Sequence, residues 1–280
     1  MRIKISADST CDLSPQLIAD NQISIVPLYI VRGEESLHDG VTITPDDVYA
    51  WTEKTKRPCS TAAVNVEDYA EYFSQYLQDA DAVIHFTISS EMSSCYQNAV
   101  TAAQSFKNVY VVDSRNLSTG IGHLVLDACE LAADGMPPQQ IYEEMNRRKL
   151  HLDVSFVLDT LDYLRYGGRC SSLAAFGANM LRLKPSIQVT DGVMGVSRKY
   201  RGLLKKCFID YVNDKLAEPN TVDPRRIFIT DSGVNEEIRS AVEEAVLAKV
   251  PFQQVYHTRA GCSISSHCGP NCLGILFYRK

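Results

Sequence analysis

This chain lacks two features: a large excess of charge of one sign, and long apolar runs. The 280 residues carry 28 Lys and Arg against 34 Asp and Glu, a formal net charge of −6. A general nucleic-acid binder would show a basic face, so this balance argues against one. No apolar run reaches the length of a membrane span, and the N-terminal Met1-Arg2-Ile3-Lys4-Ile5 lacks a signal peptide's apolar core. We therefore expect a soluble, cytoplasmic protein with no nucleic-acid partner and no stable membrane insertion.

Cysteine patterns for a metal site or a disulfide framework are also missing. The nine cysteines are an odd number without a small-scaffold arrangement, which favours reduced thiols in a cytosolic protein. Cys262, Cys268 and Cys272 lie near His267, but they are separated by five and then three residues and form no paired C-x-x-C. Because free cysteine behaves as a small buried hydrophobe, packing is the favoured interpretation and we predict no metal.

Motifs for nucleotide chemistry and for serine hydrolysis are incomplete. Gly120-Ile121-Gly122 lacks a third glycine in register, and the segment 269–274 lacks the Gly-Lys-Ser/Thr ending of a phosphate loop. Serines at predicted strand ends accompany His267 and several aspartates, but there is no Gly-x-Ser-x-Gly elbow. A serine hydrolase acting on lipid or other esters stays open as the alternative function, and it requires a serine, a base and an acid that meet in the fold.

What the chain does have is an alternation of short apolar runs and helical patterns. The runs 82–88 and 109–112 are typical of parallel strands covered on both faces. In the second half, Asp191-Gly192 lies between two extended segments and predicts a hairpin, hence antiparallel pairing. We therefore predict a two-domain α/β protein. Residues 1–150 would form an N-terminal three-layer α/β/α domain with a parallel sheet, and residues 151–280 a C-terminal two-layer α/β domain with a mixed sheet.

Three elements of the first half are also expected within definite limits. They are one extended segment over 23–31, a helix from about Met92 to Phe106 and a helix from about Thr119 to Ala133.

Hydroxyl-rich loops follow several of the predicted strands. They are Asp8-Ser9-Thr10, Ser60-Thr61, the segment 89–94, Asp113-Ser114 and the late Ser266-His267-Cys268-Gly269-Pro270. In open α/β sheets, ligands collect where strand ends meet helix starts. Hydroxyls and free N–H groups at helix N-termini bind anions. The pattern predicts an anion site with uncharged walls, and Ser93 is expected in the first turn of the helix after Ile88.

Two arginines could extend such a site. Arg169 follows Gly167-Gly168, and Arg201 lies in a basic segment. Surface arginines are commonly just solvated, but a guanidinium also binds phosphate bidentately. Charge patterning alone leaves a solvated face and a phosphate-binding or partner-binding patch equally open.

Six motifs, in order along the chain, resemble those of the DegV family. They are Asp8-Ser9-Thr10-Cys11-Asp12-Leu13, the segment 88–97, Val112-Asp113-Ser114, the segment 164–169, Leu183-Lys184-Pro185 and His267-Cys268-Gly269-Pro270. The resemblance implies a two-domain protein that holds one long-chain fatty acid between its domains and has no turnover of its own. It implies no cofactor other than a bound, palmitate-like acid. The partner would be a separate fatty acid kinase that makes acyl phosphate for lipid synthesis.

The same resemblance implies roles for individual residues. The family's carboxylate-binding positions correspond to Ser60 or Thr61, to Ser93 and to His267, although Ser93 could instead be a simple helix cap. The family's Thr-Ser-Gln-Pro-Ser loop begins here with Ser60-Thr61, in exchanged order, which leaves open which hydroxyl contacts the ligand. Arg169 and Arg201 match the family pattern and would serve kinase docking or phosphoryl transfer.

A fatty acid also needs an apolar channel for its tail. The segment 173–181 is apolar and rich in small residues, so Phe176 and Met180 could line an acyl-chain tunnel. Close packing of a helix on a sheet is the alternative interpretation of this segment. Burial of methylenes at ~0.8 kcal/mol each would dominate affinity, whereas a buried carboxylate must find hydrogen bonds.

Overall fold

The structure, a computed structural model, describes residues 1–169 and 183–280. Strands and helices alternate in the first half of the chain. In order they are β1 (Ile3–Asp8), α1 (Pro15–Asp20), β2 (Ser24–Val26), β3 (Tyr29–Arg32), β4 (Glu35–His38), α2 (Pro45–Thr55), β5 (Ser60–Ala62), α3 (Val66–Tyr76), β6 (Ala82–Thr87), α4 (Cys95–Ala103), β7 (Val109–Asp113), α5 (Thr119–Ala133) and α6 (Pro138–Arg148).

The described elements of the second half follow the same numbering. They are β8 (Leu152–Val157), α7 (Asp162–Gly167), β9 (Leu183–Thr190), β10 (Val193–Arg201), α8 (Leu204–Lys215), β11 (Val222–Asp231), α9 (Glu236–Lys249), β12 (Gln254–Arg259), α10 (Cys262–Cys268) and β13 (Leu273–Arg279).

A four-stranded parallel sheet forms the centre of the first half. Its strand order is β2-β1-β6-β7, and each neighbouring pair runs parallel. All six residues of β6 are buried, as expected for a parallel strand covered on both faces. The predicted parallel sheet is therefore confirmed.

A six-stranded mixed sheet forms the centre of the second half. Its order is β10-β9-β8-β13-β11-β12. The pair β11–β12 is parallel, and the other four pairs are antiparallel. At the β9–β10 turn, Asp191 and Gly192 have φ of 49° and 82°, the left-handed values that a tight two-residue hairpin requires. The predicted mixed sheet and hairpin are confirmed, and so is the two-domain α/β fold class.

Helix α5 lies between the two sheets. Every residue from Thr119 to Ala128 is buried, and the helix packs against β1 and β6 on one side and β8 and β13 on the other. One apolar core runs continuously from the parallel sheet through α5 to the inner face of the mixed sheet. A second core fills the outer face of the mixed sheet beneath α8 and α9. The domain limits 1–150 and 151–280 stay a prediction, and the two sheets fall on either side of that boundary.

Two local expectations were wrong, and one helix was missed. The single extended segment expected at 23–31 is two strands, and β3 joins β4 and β5 in a small antiparallel sheet that was not predicted. Strands of three or four residues are too short to show a period. Helix α4 begins at Cys95 rather than near Met92, because residues after β6 first form a turn in which Met92 N donates to Ser89 O at 2.9 Å. Helix α10 was also missed.

Candidate functional site

A cleft opens at the carboxyl ends of β1, β6 and β7, where the loops after these strands face helix α10. Its cavity volume is about 60 Å³, and the atom-free space in and around it, which includes open solvent, is about 570 Å³. Its apolar wall consists of Leu28, Ala62, Ala63, Ile88, Met92, Leu117, Leu164, Met194, Ile264 and Cys268. Its polar side chains are those of Thr10, Thr61, Ser93, Arg169, Ser263 and His267. Leu164 and Met194 come from the second half of the chain, so both halves contribute to the wall.

Thr61 and His267 meet in this cleft. Thr61 Oγ1 lies 2.9 Å from His267 Nε2. Thr61 is half-buried in β5, whereas its neighbour Ser60 is exposed and does not line the cleft. Consecutive side chains of a strand point to opposite faces, so the structure brings Thr61 to the cleft and turns Ser60 away from it.

His267 is held as a neutral imidazole. Its Nδ1 atom is buried and has no hydrogen-bond partner among the described residues. Burial, together with the positive charge of Arg169, lowers the pKa of His267 to about 4. The ring packs closely on Gly167, where an added Cβ would lie 2.0 Å from Nδ1. A neutral imidazole donates from one nitrogen and accepts at the other, so His267 can bind either a donor or an acceptor.

Ser93 lines the cleft from the turn just before α4. Its Oγ accepts from Cys95 N at 3.3 Å and contacts Cys95 Sγ at 3.2 Å. The expectation that Ser93 lies inside the first helical turn was wrong by two residues, since α4 starts at Cys95. The N-cap residue of α4 is Ser94, which makes no side-chain cap bond. Ser93, one residue earlier, accepts from the first helical N–H, and its side chain is half-buried at the cleft wall.

The structure separates the two arginines. Arg169 is exposed, donates from Nη1 to Gly167 O at 2.5 Å, and lines the cleft beside His267. Arg201 is exposed at the end of β10 and does not line the cleft. Arg169 therefore lies with Thr61, Ser93 and His267, and Arg201 lies apart from them.

Thr10 and Ser263 are polar residues of the cleft that were not predicted as contacts. Their hydroxyls are buried and have no partner among the residues that the structure describes. Thr10 belonged to a hydroxyl-rich loop after β1, which did indicate the right edge of the sheet. Ser263 lies on α10, whose short run Cys262-Ser263-Ile264-Ser265-Ser266 has no helical pattern strong enough to predict it.

Two buried carboxyl groups anchor the N-terminus of α10. Asp39 accepts from Cys262 N at 2.8 Å and from Ser263 N at 3.1 Å, and Asp12 accepts from Gly261 N at 2.8 Å. Burial raises the pKa of Asp12 to about 8. These bonds satisfy the first free N–H groups of the helix and so fix the element that carries Ser263 and His267.

A smaller cavity continues the apolar wall of the cleft. Its volume is about 20 Å³, and it shares Leu117, Ile264 and Cys268 with the cleft. Phe156 and Leu276 of the mixed sheet line its far side. The predicted tunnel residues Phe176 and Met180 lie outside the described residues.

A serine, a histidine and an aspartate do meet elsewhere in the fold. Ser6 Oγ lies 3.0 Å from His85 Nδ1, and His85 Nε2 lies 3.2 Å from Asp8 Oδ1. All three residues are fully buried under α3, so no substrate reaches them. In the cleft, His267 Nδ1 has no carboxylate partner within the described part of the chain. Neither arrangement is that of an accessible hydrolytic triad.

Groups of three or more His, Cys, Asp or Glu able to hold a metal do not occur in the ranges 1–169 and 183–280. Within the same ranges, none of the helices combines the length and apolarity needed to cross a bilayer.

Comparison with known proteins identifies the family to which the chain belongs. A model described as an uncharacterised protein of the DegV family matches residues 2–280. The chain belongs to the DegV family. A DegV domain-containing protein of Clostridium perfringens is 32% identical over 292 aligned positions, covering 100% of this chain and 99% of the relative.

Solved DegV structures share the fold over the whole chain. A DegV family protein from Thermus thermophilus, described by its fatty acid binding, superposes with a TM-score of 0.92 at 29% identity and covers 100% of both chains. A fatty acid kinase (Fak) B3 protein from Streptococcus pneumoniae, loaded with linoleic acid, gives a TM-score of 0.87 with 100% of both chains covered. At 21% identity, this second likeness shows the fold alone.

Proposed function

We propose that this DegV protein binds one long-chain fatty acid in the cleft. The carboxylate would contact Thr61, Ser93 and His267, and the tail would run along Leu117 and Ile264 toward the smaller cavity. The observation that carries the proposal is the Thr61–His267 pair, 2.9 Å apart, at one end of an otherwise apolar cleft. The fatty-acid-binding relative from Thermus thermophilus supports it.

The two ends of such a ligand would bind for different reasons. Each buried methylene contributes ~0.8 kcal/mol, so the tail sets most of the affinity. The carboxylate gives up hydration and needs hydrogen bonds in return. Thr61 and Ser93 supply hydroxyl donors, neutral His267 donates its ring N–H to Thr61 Oγ1 and so leaves the Thr61 hydroxyl hydrogen free for the carboxylate, and Arg169 at the rim supplies positive charge. The polar end therefore sets the orientation of the ligand.

The contact at β5 can be tested with two neighbouring hydroxyls. Thr61→Val keeps the shape of the side chain and removes its hydroxyl. A lost hydrogen bond to a charged group costs ~1.5–3 kcal/mol, so the Kd for hexadecanoic acid should rise about 10- to 150-fold. Ser60→Ala, one residue away on the exposed face, is the matched control and should leave Kd unchanged. Isothermal titration of delipidated protein measures both. Equal effects of the two variants would contradict the assignment to Thr61.

We also propose that the protein presents the bound carboxylate to a fatty acid kinase. The support is the family resemblance of the Arg169 and Arg201 motifs, together with the exposed position of Arg201 away from the cleft. Arg169 beside His267 is suited to stabilising the negative charge on the oxygens of the phosphoryl group as it is transferred to the carboxylate. Arg201 is suited to contact with the partner.

The separation of these roles gives a second experiment. Arg201→Ala should leave fatty acid binding unchanged and slow acyl-phosphate formation in an assay with added fatty acid kinase. Arg2→Ala is the control. Arg2 is exposed and lies just before β1, at the end of that strand away from the cleft, so its replacement should not slow acyl-phosphate formation. Loss of fatty acid binding in Arg201→Ala would contradict the division of roles, and unchanged phosphorylation would contradict the partner contact.

A further inference from the structure

Two buried hydroxyls in the cleft lack partners. Thr10 is 1% exposed and Ser263 is 3% exposed, and neither hydroxyl has a hydrogen-bond partner among the described residues. Buried polar groups in native proteins are nearly always paired, and each exception calls for an explanation. Since both residues line the cleft, we expect a polar group of the ligand to be the missing partner.

These hydroxyls are displaced from the Thr61–His267 pair. Ser263 and His267 are four residues apart on α10, so they share a face of the helix and are separated by about 6 Å along its axis. Arg169, on the His267 side, is exposed, whereas Ser263 is buried. Ser263 therefore lies one helical turn further into the protein than the pair that we assign to the carboxylate.

The charges around Ser263 disfavour an anion there. Asp39 already accepts from Cys262 N, Ser263 N and Ser9 Oγ, at 2.8, 3.1 and 2.9 Å. The first free N–H groups of α10 are thus used by acidic side chains and are not available to a ligand. A carboxylate beside Ser263 would be repelled by Asp39, and Arg169, whose charge acts on His267, attracts it to the other end. A neutral hydroxyl group is neither repelled by Asp39 nor drawn away by Arg169.

We propose that Thr10 and Ser263 form a second polar subsite, one turn deeper than His267, which selects fatty acids that carry a hydroxyl group within a few carbons of the carboxylate. A 3-hydroxy acid is the representative of this class. An alcohol both donates and accepts, which suits it to two hydroxyl partners. The inference rests on the proposed fatty acid binding and specifies the substrate class of that site.

The test compares three ligands on delipidated protein: hexadecanoic acid, 3-hydroxyhexadecanoic acid and 16-hydroxyhexadecanoic acid. Wild type should bind the 3-hydroxy acid about tenfold more tightly than the plain acid, since one additional hydrogen bond satisfies buried groups. The 16-hydroxy acid should show no such gain. Ser263→Ala and Thr10→Val should each reduce the preference for the 3-hydroxy acid and leave the Kd for the plain acid unchanged or lower.

Ser266→Ala is the matched control. Ser266 lies on the same helix, is equally buried and also lacks a partner among the described residues, but it does not line the cleft. It should leave the preference intact. Equal binding of plain and 3-hydroxy acids by wild type would overturn the second subsite alone. So would a Ser263→Ala variant that loses affinity for the plain acid, because that hydroxyl would then hold the carboxylate. If the protein binds none of the three acids, the proposed function itself is wrong.

Discussion

The substitution Gly167→Ala tests whether the orientation of His267 controls the site. Gly167 is the last residue of α7, and its φ is not in the left-handed region. Alanine there is compatible with the backbone, and in a helix it is ordinarily favoured over glycine by ~1 kcal/mol. From local propensity alone, the variant should therefore be slightly more stable than wild type.

The contact with His267 reverses this expectation. The new Cβ would lie 2.0 Å from His267 Nδ1, whereas ordinary contacts begin near 3.4 Å. The imidazole must therefore move by more than 1 Å, and the 2.9 Å bond from Nε2 to Thr61 would break. We expect a net loss of ~1–3 kcal/mol in the free energy of unfolding from overpacking. The loss of an oriented donor to the carboxylate should raise Kd about 10- to 150-fold.

Binding and unfolding assays on wild type and four variants separate the causes. Gly195→Ala is the control, because nothing lies within 4 Å of its added Cβ and its φ is not positive; it should change neither quantity. If Gly167→Ala weakens binding by displacing the His267 imidazole, it should have little additional effect on Kd in a protein that already carries His267→Ala. A double-mutant cycle measures this difference. A Gly167→Ala protein with wild-type affinity would refute the reasoning, because the imidazole position would then be irrelevant to binding.

Two further predictions concern pH. The pKa of His267 is lowered from 6.5 to about 4 on folding, so the unfolded chain binds the proton more tightly and the free energy of unfolding should fall as pH drops from about 6.5 to 4. His267→Asn should reduce this acid-induced loss by ~1–3 kcal/mol in urea titrations across that range, and an unchanged slope would count against a buried neutral imidazole. The pKa of Asp12 is raised from 3.8 to about 8 by burial, so its contribution is full below pH 4 and is lost as pH rises toward 8. Asp12→Asn should therefore be more stable than wild type at pH 8 and show a flatter profile, whereas a variant less stable at every pH would mean that the carboxylate is needed as an acceptor for Gly261 N.

Strands β6 and β7 of the parallel sheet were predictable because they are continuous apolar runs without competing signals. The 82–88 run needed only the rule that buried parallel strands are continuously apolar, and Asp191-Gly192 allowed only a tight hairpin. Helix α5 was predicted with its observed bounds, Thr119 to Ala133. What its sequence did not show is its position between both sheets, since the part from Thr119 to Ala128 is buried on all sides and has no exposed face to reveal its surroundings.

The site was predictable in part, because the hydroxyl-rich loops mark the carboxyl edge of the parallel sheet. Thr61, Ser93 and His267 do line one cleft. The choice of Thr61 over Ser60 required the register of β5, a strand of three residues that no periodicity reveals. Ser263 required α10, which is held at its N-terminus by Asp39 from more than 200 positions earlier in the chain. Long-range capping of this kind leaves no local pattern.

A crystal structure of the protein with hexadecanoic acid would show whether the cleft holds a fatty acid in the proposed orientation. We expect ligand density in the cleft, with the carboxylate within hydrogen-bonding distance of Thr61 Oγ1 and Ser93 Oγ and the tail passing Leu117 toward Phe156. A cleft that stays empty at saturating fatty acid, or a ligand whose carboxylate lies away from Thr61 and His267, would contradict the proposal.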